Sequence, residues 1–453
     1  MTGPDGLLGA LFETPDVAEL FGDRAVLQGM FDVEAALARA QAAVGVIPAA
    51  AAAPIAAACA ADQFDPAAIG RAAALAGNPA IPLVAALRAR VAAANPAAAH
   101  HVHRGATSQD VIDTGMVLRV RRALRLIDAD LGRAEEALAG LARRHAGTVM
   151  VARTLLQHAL PTTFGLKAAG WLSMVVRVRG RLRAAGAAFA VLQFGGAAGT
   201  LAALGDAGME VAEALARDLG LALPDMPWHA QRDRVADLAA ALGLVVGALG
   251  KVARDVAYMM ATDTGEVSEP AGPGKGGSSA MPHKRNPVDT TVALAAATRA
   301  PGLVASLLAG LPQEHERGVG GWHAEWQPLS DLVRLTSGAV SRMAAALEGL
   351  EVDPEALRRG LGLTRGLVMA EAAALALAPV LGAEAAQSLV ERACREARAA
   401  GADLQAVLAR DPEVRRCLDP AALARAMDPA AYLGSASTLI ARALARRTAP
   451  EEA

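Results

Sequence analysis

Two stretches of this chain repeat apolar residues at alternating spacings of three and four for about three heptads each. The first runs through Val120, Leu124, Ile127, Leu131, Ala134, Leu138 and Leu141. The second runs through Val235, Leu238, Leu242, Val245, Leu249, Val252, Val256 and Met259. Only a helix keeps such positions on one face, and helices this long bury that face against other long helices at shallow crossing angles. The fold must therefore be built on a bundle. Residues 163–190 and 328–350 fit the same pattern less regularly. A further helix is predicted to begin near Val288 and to be kinked or ended by Pro301. That makes five long helices, and a second apolar stripe on some of them predicts partner helices, hence an oligomer.

The flanks read differently. Before the bundle, residues 1–112 form shorter helices punctuated by Pro48, Pro54, Pro66, Pro79 and Pro96. After it, "EVDPEALRRG" from Glu351 is a helix start, with Asp353 as cap and Pro354 at the first position. No stretch alternates with the period of a strand. The expectation is an all-α chain in three regions, 1–112, 113–352 and 353–453, the middle one interrupted by an irregular loop at 263–287.

Composition narrows the function classes. With 453 residues, 53% of them hydrophobic and 20% charged, the chain can bury a large core and is not disordered. The formal net charge of −2 offers no footprint for nucleic acid or an anionic membrane. Cys59, Cys394 and Cys417 are sparse and show no ligand spacing, so they read as free thiols of a reducing compartment. The N-terminus has no basic segment before an apolar run, so no signal peptide is expected. Two uncharged stretches, 42–61 and 184–205, are long enough to test as membrane spans. The first is broken by Pro48 and Pro54 and the second by "QFGGAAGT", so both read as helix–turn segments of a cytoplasmic protein.

Four polar islands interrupt the apolar background. "HHVHRGATSQD" (100–110) offers His101 and His103, but no further ligand follows at metal spacing and no metal is expected. It reads as a helix N-terminus capped by Thr107 or Ser108, with Asp110 near the positive end of the dipole, a good seat for a carboxylate or phosphate. "RTLLQHALPTTFG" (153–165) groups Gln157, His158, Thr162 and Thr163 around Pro161, and on its own reads as helix-start chemistry. "ERGVGGWHAEWQPL" (316–329) sets Arg317, Trp322, His323 and Trp326 around a Gly-rich turn, and on its own could be a packed surface loop. The fourth, "GSSAMPHKRNP" (277–287), puts Ser278, Ser279, Lys284, Arg285 and Asn286 between glycine hinges. A loop of this kind can close over an anionic substrate and exclude water.

In these four islands the chain resembles the fumarase/aspartase superfamily along nearly its whole length. "GSSAMPHKRNP" matches that family's signature almost letter for letter, and "TSQD" (107–110) and "RTLLQHALPTT" match its other two signature regions in order. The resemblance implies an all-α, three-domain fold with a central five-helix bundle. It also implies a homotetramer with a twenty-helix core, whose active sites are shared between subunits. It assigns proton exchange beside a substrate carboxylate to Ser278, held as the alkoxide with help from Lys284, because an ordinary hydroxyl is too weak an acid. It gives Lys284 and Asn286 the aci-carboxylate and makes Ser279 supportive. Thr107 and Ser108 would seat a second carboxylate oriented by Gln157, and Arg317 would clamp a third. His103 matches a family histidine near the substrate. No metal or organic cofactor is implied.

One departure is informative. Many lyases of the superfamily have Thr-His-x-Gln at the second island, and the histidine serves the leaving amine. Here the residues are Thr154-Leu155-Leu156-Gln157. A departing amine needs a proton, whereas a carboxylate, with a conjugate acid of pKa about 4, does not. Leu155 therefore favours C–O chemistry, with His158 able to compensate if the segment is helical. In this, and in "RTLLQHA" and the Gly-Trp-His run, the chain resembles the branch that lactonises the tricarboxylate 3-carboxy-cis,cis-muconate. A fumarate-releasing lyase and a non-catalytic helical scaffold are the alternatives. The first must explain Leu155, and the second must explain an intact loop.

Overall fold

The computed structural model describes residues 6–277 and 280–448. The periodic segments are helices in it. A helix of 22 residues, α1 (Asp23–Val44), precedes five long ones, α2 (Ser108–Arg144), α3 (Phe164–Phe189), α4 (Asp233–Met260), α5 (Val288–Ala309) and α6 (Gly321–Glu348). Short helices follow, beginning with α7 (Pro354–Gly362). The all-α reading holds. The α5 helix starts where the sequence places it and runs on through Pro301. The α6 helix begins earlier than expected and takes Pro328 into its interior. The apolar positions of α4 named above are all buried, as are those of α2 except the half-buried Leu124.

The chain divides into two compact units: Met1–Leu131, Val178–Gly250 and Val292–Arg342 form one, and Gly132–Arg177, Lys251–Thr291 and Met343–Ala453 the other. In the first unit, α1 and α2 touch backbone to backbone. A Cβ on Gly115 would stand 2.9 Å from the carbonyl carbon of Gly29, and one on Gly29 would stand 3.0 Å from the Gly115 oxygen. Two glycines facing each other let the helices approach this closely, at the cost of helix propensity. The second unit has a core of its own, in which Leu377, Leu389, Leu404 and Leu408 pack with Val151. The Asp353 carboxylate caps α7 as expected, accepting from the N–H groups of Glu355 (2.8 Å) and Ala356 (3.0 Å).

Two small sheets correct the reading that no strand exists. In the second unit β1 (Val149–Thr154) and β2 (Gln157–Thr163) form an antiparallel hairpin. There too, β3 (Val267–Ser268) pairs with β4 (Glu351–Val352). The second polar island is therefore a hairpin. Only its end does helix-start work, where Thr163 Oγ1 accepts from the Leu166 N–H at 3.0 Å. The strand period is hidden because Val149, Met150 and Val151 are consecutive apolar residues.

Among the described residues the two single helices long and apolar enough to cross a membrane are α4 and α5, not the uncharged stretches tested in the sequence. The apolar window of α4 is 67% buried within the chain, whereas that of α5 is only 28% buried.

Replacing Gly115 by Ala should lower the urea midpoint of unfolding, because the new methyl meets backbone that cannot rotate away. The loss should outweigh the roughly 1 kcal/mol that alanine gains in helix propensity. An unchanged or higher midpoint would mean that α1 and α2 are free to separate.

Candidate active site

In the first unit the chain turns into α2 at Thr107-Ser108. The Thr107 N–H donates to Asp110 Oδ2 at 3.0 Å, the side-chain-to-backbone bond of a capped N-terminus. Thr107 Oγ1 accepts from a terminal nitrogen of Arg317 at 3.0 Å, across 210 residues of sequence. The other terminal nitrogen of Arg317 donates to the Ala197 carbonyl at 3.1 Å. Having accepted from Arg317, the Thr107 hydroxyl keeps its own proton to donate to an anion. Ser108 is half-buried beside it. The structure thus brings together two of the residues expected to hold carboxylates, at the positive end of a long helix.

His103 stands just upstream with φ 62, a left-handed conformation uncommon for a side-chain-bearing residue. Its Nδ1 lies 2.5 Å from Oε1 of the buried Glu34. Burial by itself lowers the pKa of this imidazole. The charge and hydrogen bond of Glu34, with a smaller push from Asp110, outweigh burial and the repulsion of Arg88, so the net shift is upward.

Sequence reasoning did not reach the buried groups behind this seat. Asp110, placed in the sequence only near a helix dipole, also accepts from the Gly195 N–H (3.0 Å), the Gly196 N–H (2.9 Å) and His229 Nε2 (2.7 Å). One turn on, Asp113 accepts from Arg232 (2.7 and 3.2 Å), Trp322 Nε1 (2.9 Å) and Gln109 (3.1 Å). Arg232 also forks onto Glu325 at 2.6 Å and stacks 4.8 Å over Trp228. Burial pushes the Glu325 carboxyl up against the pull of Arg232. The third island is thereby anchored: Trp322 is buried on Asp113 and meets Trp326 edge-on at 5.0 Å. The signal for this glycine loop in the sequence is "QFGGAAGT", which marks a break in an apolar stretch but does not by itself point to Asp110.

The second unit holds the other expected residues. The hairpin register pairs Thr154 with Gln157, leaving Leu155 and Leu156 as a two-residue turn with φ 50 and 63. Turns of that geometry favour Asn-Gly, and two leucines there carry strain. Leu155 is 97% exposed. Gln157 is exposed at the start of β2. His158 is half-buried, and its Nδ1 has no hydrogen-bond partner among the described residues. Burial, then the nearby Arg153, lowers its pKa against the opposing pull of Glu266. Because the segment is a strand, the helical placement that would have let His158 stand in for Leu155 does not occur.

Ser278 and Ser279 lie outside the described residues. Their loop is tied at its base, where the Asn286 backbone and side-chain N–H groups both donate to the Gly276 carbonyl at 2.9 and 3.1 Å. Glycine is required at 276, whose φ is +70 and where a Cβ would meet the Asn286 oxygen at 2.8 Å. Lys275 pairs with Asp289 at 2.5 Å. Glu269 accepts from the N–H groups of Asp289 (3.1 Å) and Thr290 (2.8 Å), capping α5. Arg285, counted among the positive charges of the loop, is held by Glu351 at 3.1 Å and by the Glu269 carbonyl. Lys284 is exposed. Among the described residues no cluster of three His, Cys, Asp or Glu side chains is arranged to hold a metal.

The chain matches a family described as "Lyase" over residues 11–302 and one described as "Adenylosuccinate lyase C-terminus" over residues 366–443. It is 55% identical over 443 residues to a 3-carboxy-cis,cis-muconate cycloisomerase of Pseudomonas aeruginosa, covering 98% of this chain and 96% of the relative. It is 46% identical over 447 residues to a nitrosuccinate lyase of Streptomyces davaonensis, covering 97% and 94%. The crystal structure of the 3-carboxy-cis,cis-muconate lactonizing enzyme from Pseudomonas putida superposes with a TM-score of 0.94 at 50% identity, covering 98% of this chain and all of that one.

The His103–Glu34 pair sets a pH dependence. With the folded pKa above the ordinary 6.5, its contribution to stability is complete below pH 6.5 and is lost as pH rises through the folded value. Glu34→Gln should lower the His103 titration midpoint followed by NMR and flatten that part of the stability–pH curve. An unmoved midpoint would show that Glu34 does not hold the proton there.

Proposed function

The chain belongs to the fumarase/aspartase superfamily, and on that premise we propose that it lactonises 3-carboxy-cis,cis-muconate to 4-carboxymuconolactone. We place this activity in a soluble cytoplasmic enzyme of aromatic-compound breakdown. The observation that carries the reading is Leu155 at the tip of the hairpin, where amine-releasing lyases of the family have histidine. A carboxylate that adds to a double bond needs no proton from that position. Relatives at 55%, 53% and 52% identity bearing the cycloisomerase name support the same substrate.

In the forward direction one carboxylate of the trianion adds to its own double bond, forming the C–O bond of the γ-lactone. The electron pair moves to the carbon beside another carboxylate, giving an aci-carboxylate. The Ser278 hydroxyl protonates that carbon and is left as an alkoxide, which water reprotonates. Overall one proton is taken up and one carboxylate becomes an ester. Addition within a single molecule benefits from high effective molarity, so the protein chiefly folds and orients the diene. Lys284 and Asn286 oppose the developing charge, with Ser279 supporting. Thr107, Ser108 and Arg317 seat the remaining carboxylates, Gln157 and His158 line the substrate, and His103, held by Glu34, stands close by. Metal and organic cofactors have no place in this scheme. The exposed apolar surface of α5 supports assembly with further copies into a homotetramer whose active sites are shared between subunits.

The purified protein alone should abolish the ultraviolet absorbance of the diene. Ser278→Ala should cost at least about a hundredfold in kcat, and Arg317→Ala should act mainly on KM. Because of the 46% identical relative, nitrosuccinate belongs in the same assay. Nitrite release without lactone formation would replace this reading with the eliminating one.

A further inference from the structure

Resting on that reading of the seat, we propose that Asp110 is a positioning residue for the reaction: it closes a ring of hydrogen bonds that fixes Arg317 over Thr107. The ring can be followed atom by atom. Asp110 Oδ2 accepts from the Thr107 N–H at 3.0 Å, and Thr107 Oγ1 accepts from Arg317 at 3.0 Å. Arg317 donates onward to the Ala197 carbonyl at 3.1 Å. Ala197 follows Gly196, whose N–H returns to Asp110 Oδ2 at 2.9 Å. The two acceptors gripped by the Arg317 fork thus lie on segments that this carboxylate ties together next to the clamp, with Thr114 and Gln193 tying them again further along α2. Arg317 is one of the carboxylate clamps, and its loop is otherwise largely exposed. The separation of its two contacts is set from below.

The glycine segment is built for this. Gly196 has φ +68, and a Cβ there would meet the Gly105 oxygen at 2.9 Å. A Cβ on Gly195 would meet Pro227 at 2.7 Å and His229 Cε1 at 2.9 Å. Successive N–H groups in such a bend form a concave anion seat, and here the anion is a side chain of the same chain. The fourth donor, His229 Nε2 at 2.7 Å, completes the shell of a carboxylate that is 1% exposed. An ionised carboxylate only accepts, so His229 carries its proton on Nε2. Its carbonyl is held in turn by Gln109 at 2.8 Å.

Asp110→Asn is the sharpest probe. It keeps one accepting oxygen but turns N–H groups toward two of the four donors, Thr107 and Gly196 at Oδ2 or Gly195 and His229 at Oδ1, and removes the charge that holds all four. KM for 3-carboxy-cis,cis-muconate should rise about tenfold or more while kcat changes less than about threefold. Because Asp110 acts through Arg317, the double variant with Arg317→Ala should be no worse than Arg317→Ala alone. His229→Leu should shift KM in the same direction, and His229→Gln, whose amide can replace the lost donor, should recover most of it. Additive losses in the double variant, or an unchanged KM in Asp110→Asn, overturn the proposal. Should the wild-type chain not turn over this substrate, the functional reading falls. The ring is then judged by amide hydrogen exchange. Asp110→Asn must deprotect at least one of the Thr107, Gly195 and Gly196 amides while leaving α4 protected, and retained protection at all three rejects it.

Discussion

Burial of the apolar seams along the long helices constrains everything else in this structure. Val120, Ile127, Leu131, Leu138 and the whole Val235–Met259 series are sealed from solvent, so the helix flanks have little room for chemistry. Polar groups are left to the helix ends. All four polar islands lead into such ends: residues 100–107 run into α2, 153–163 into α3, 280–287 into α5 and 316–320 into α6. Each is an N-terminus, where unpaired N–H groups and the helix dipole favour negative charge.

Where charge does enter the interior, it is paired. Arg232 sits between Asp113 and Glu325, all three at most 2% exposed, and Asp110 is met by four donors. Such networks add little net stability over apolar packing, but they are costly to break singly and they fix geometry. Here they join the start of α2, the 193–197 strand of loop and the Trp322 turn. The start of α2 is thereby held in place by buried groups drawn from distant parts of the chain.

The fold was legible because heptad spacing is a local signal, repeated often enough in α2 and α4 to exclude other periods. The β1–β2 hairpin was not, since its turn is Leu155-Leu156 rather than Asn-Gly and its first strand opens on four consecutive apolar residues, Val149 to Ala152. The resemblance supplied Thr107 and Arg317 as candidates. Their supports could not be read, because Asp110 meets Gly195 and His229 from 85 and 119 residues away and His103 meets Glu34 from 69. Nothing in a single sequence announces pairings at those distances. The loop serines were legible as residues, whereas the tether of Asn286 to Gly276 and the pairing of Arg285 with Glu351 needed coordinates.

The central claim is that the protein delivers one proton to the carbon beside a carboxylate as the lactone closes. Running the reaction in heavy water and reading the product by NMR tests it directly. The account predicts a single deuterium at that carbon, on one face only. Product with no deuterium there, or with label spread over both faces, would contradict it.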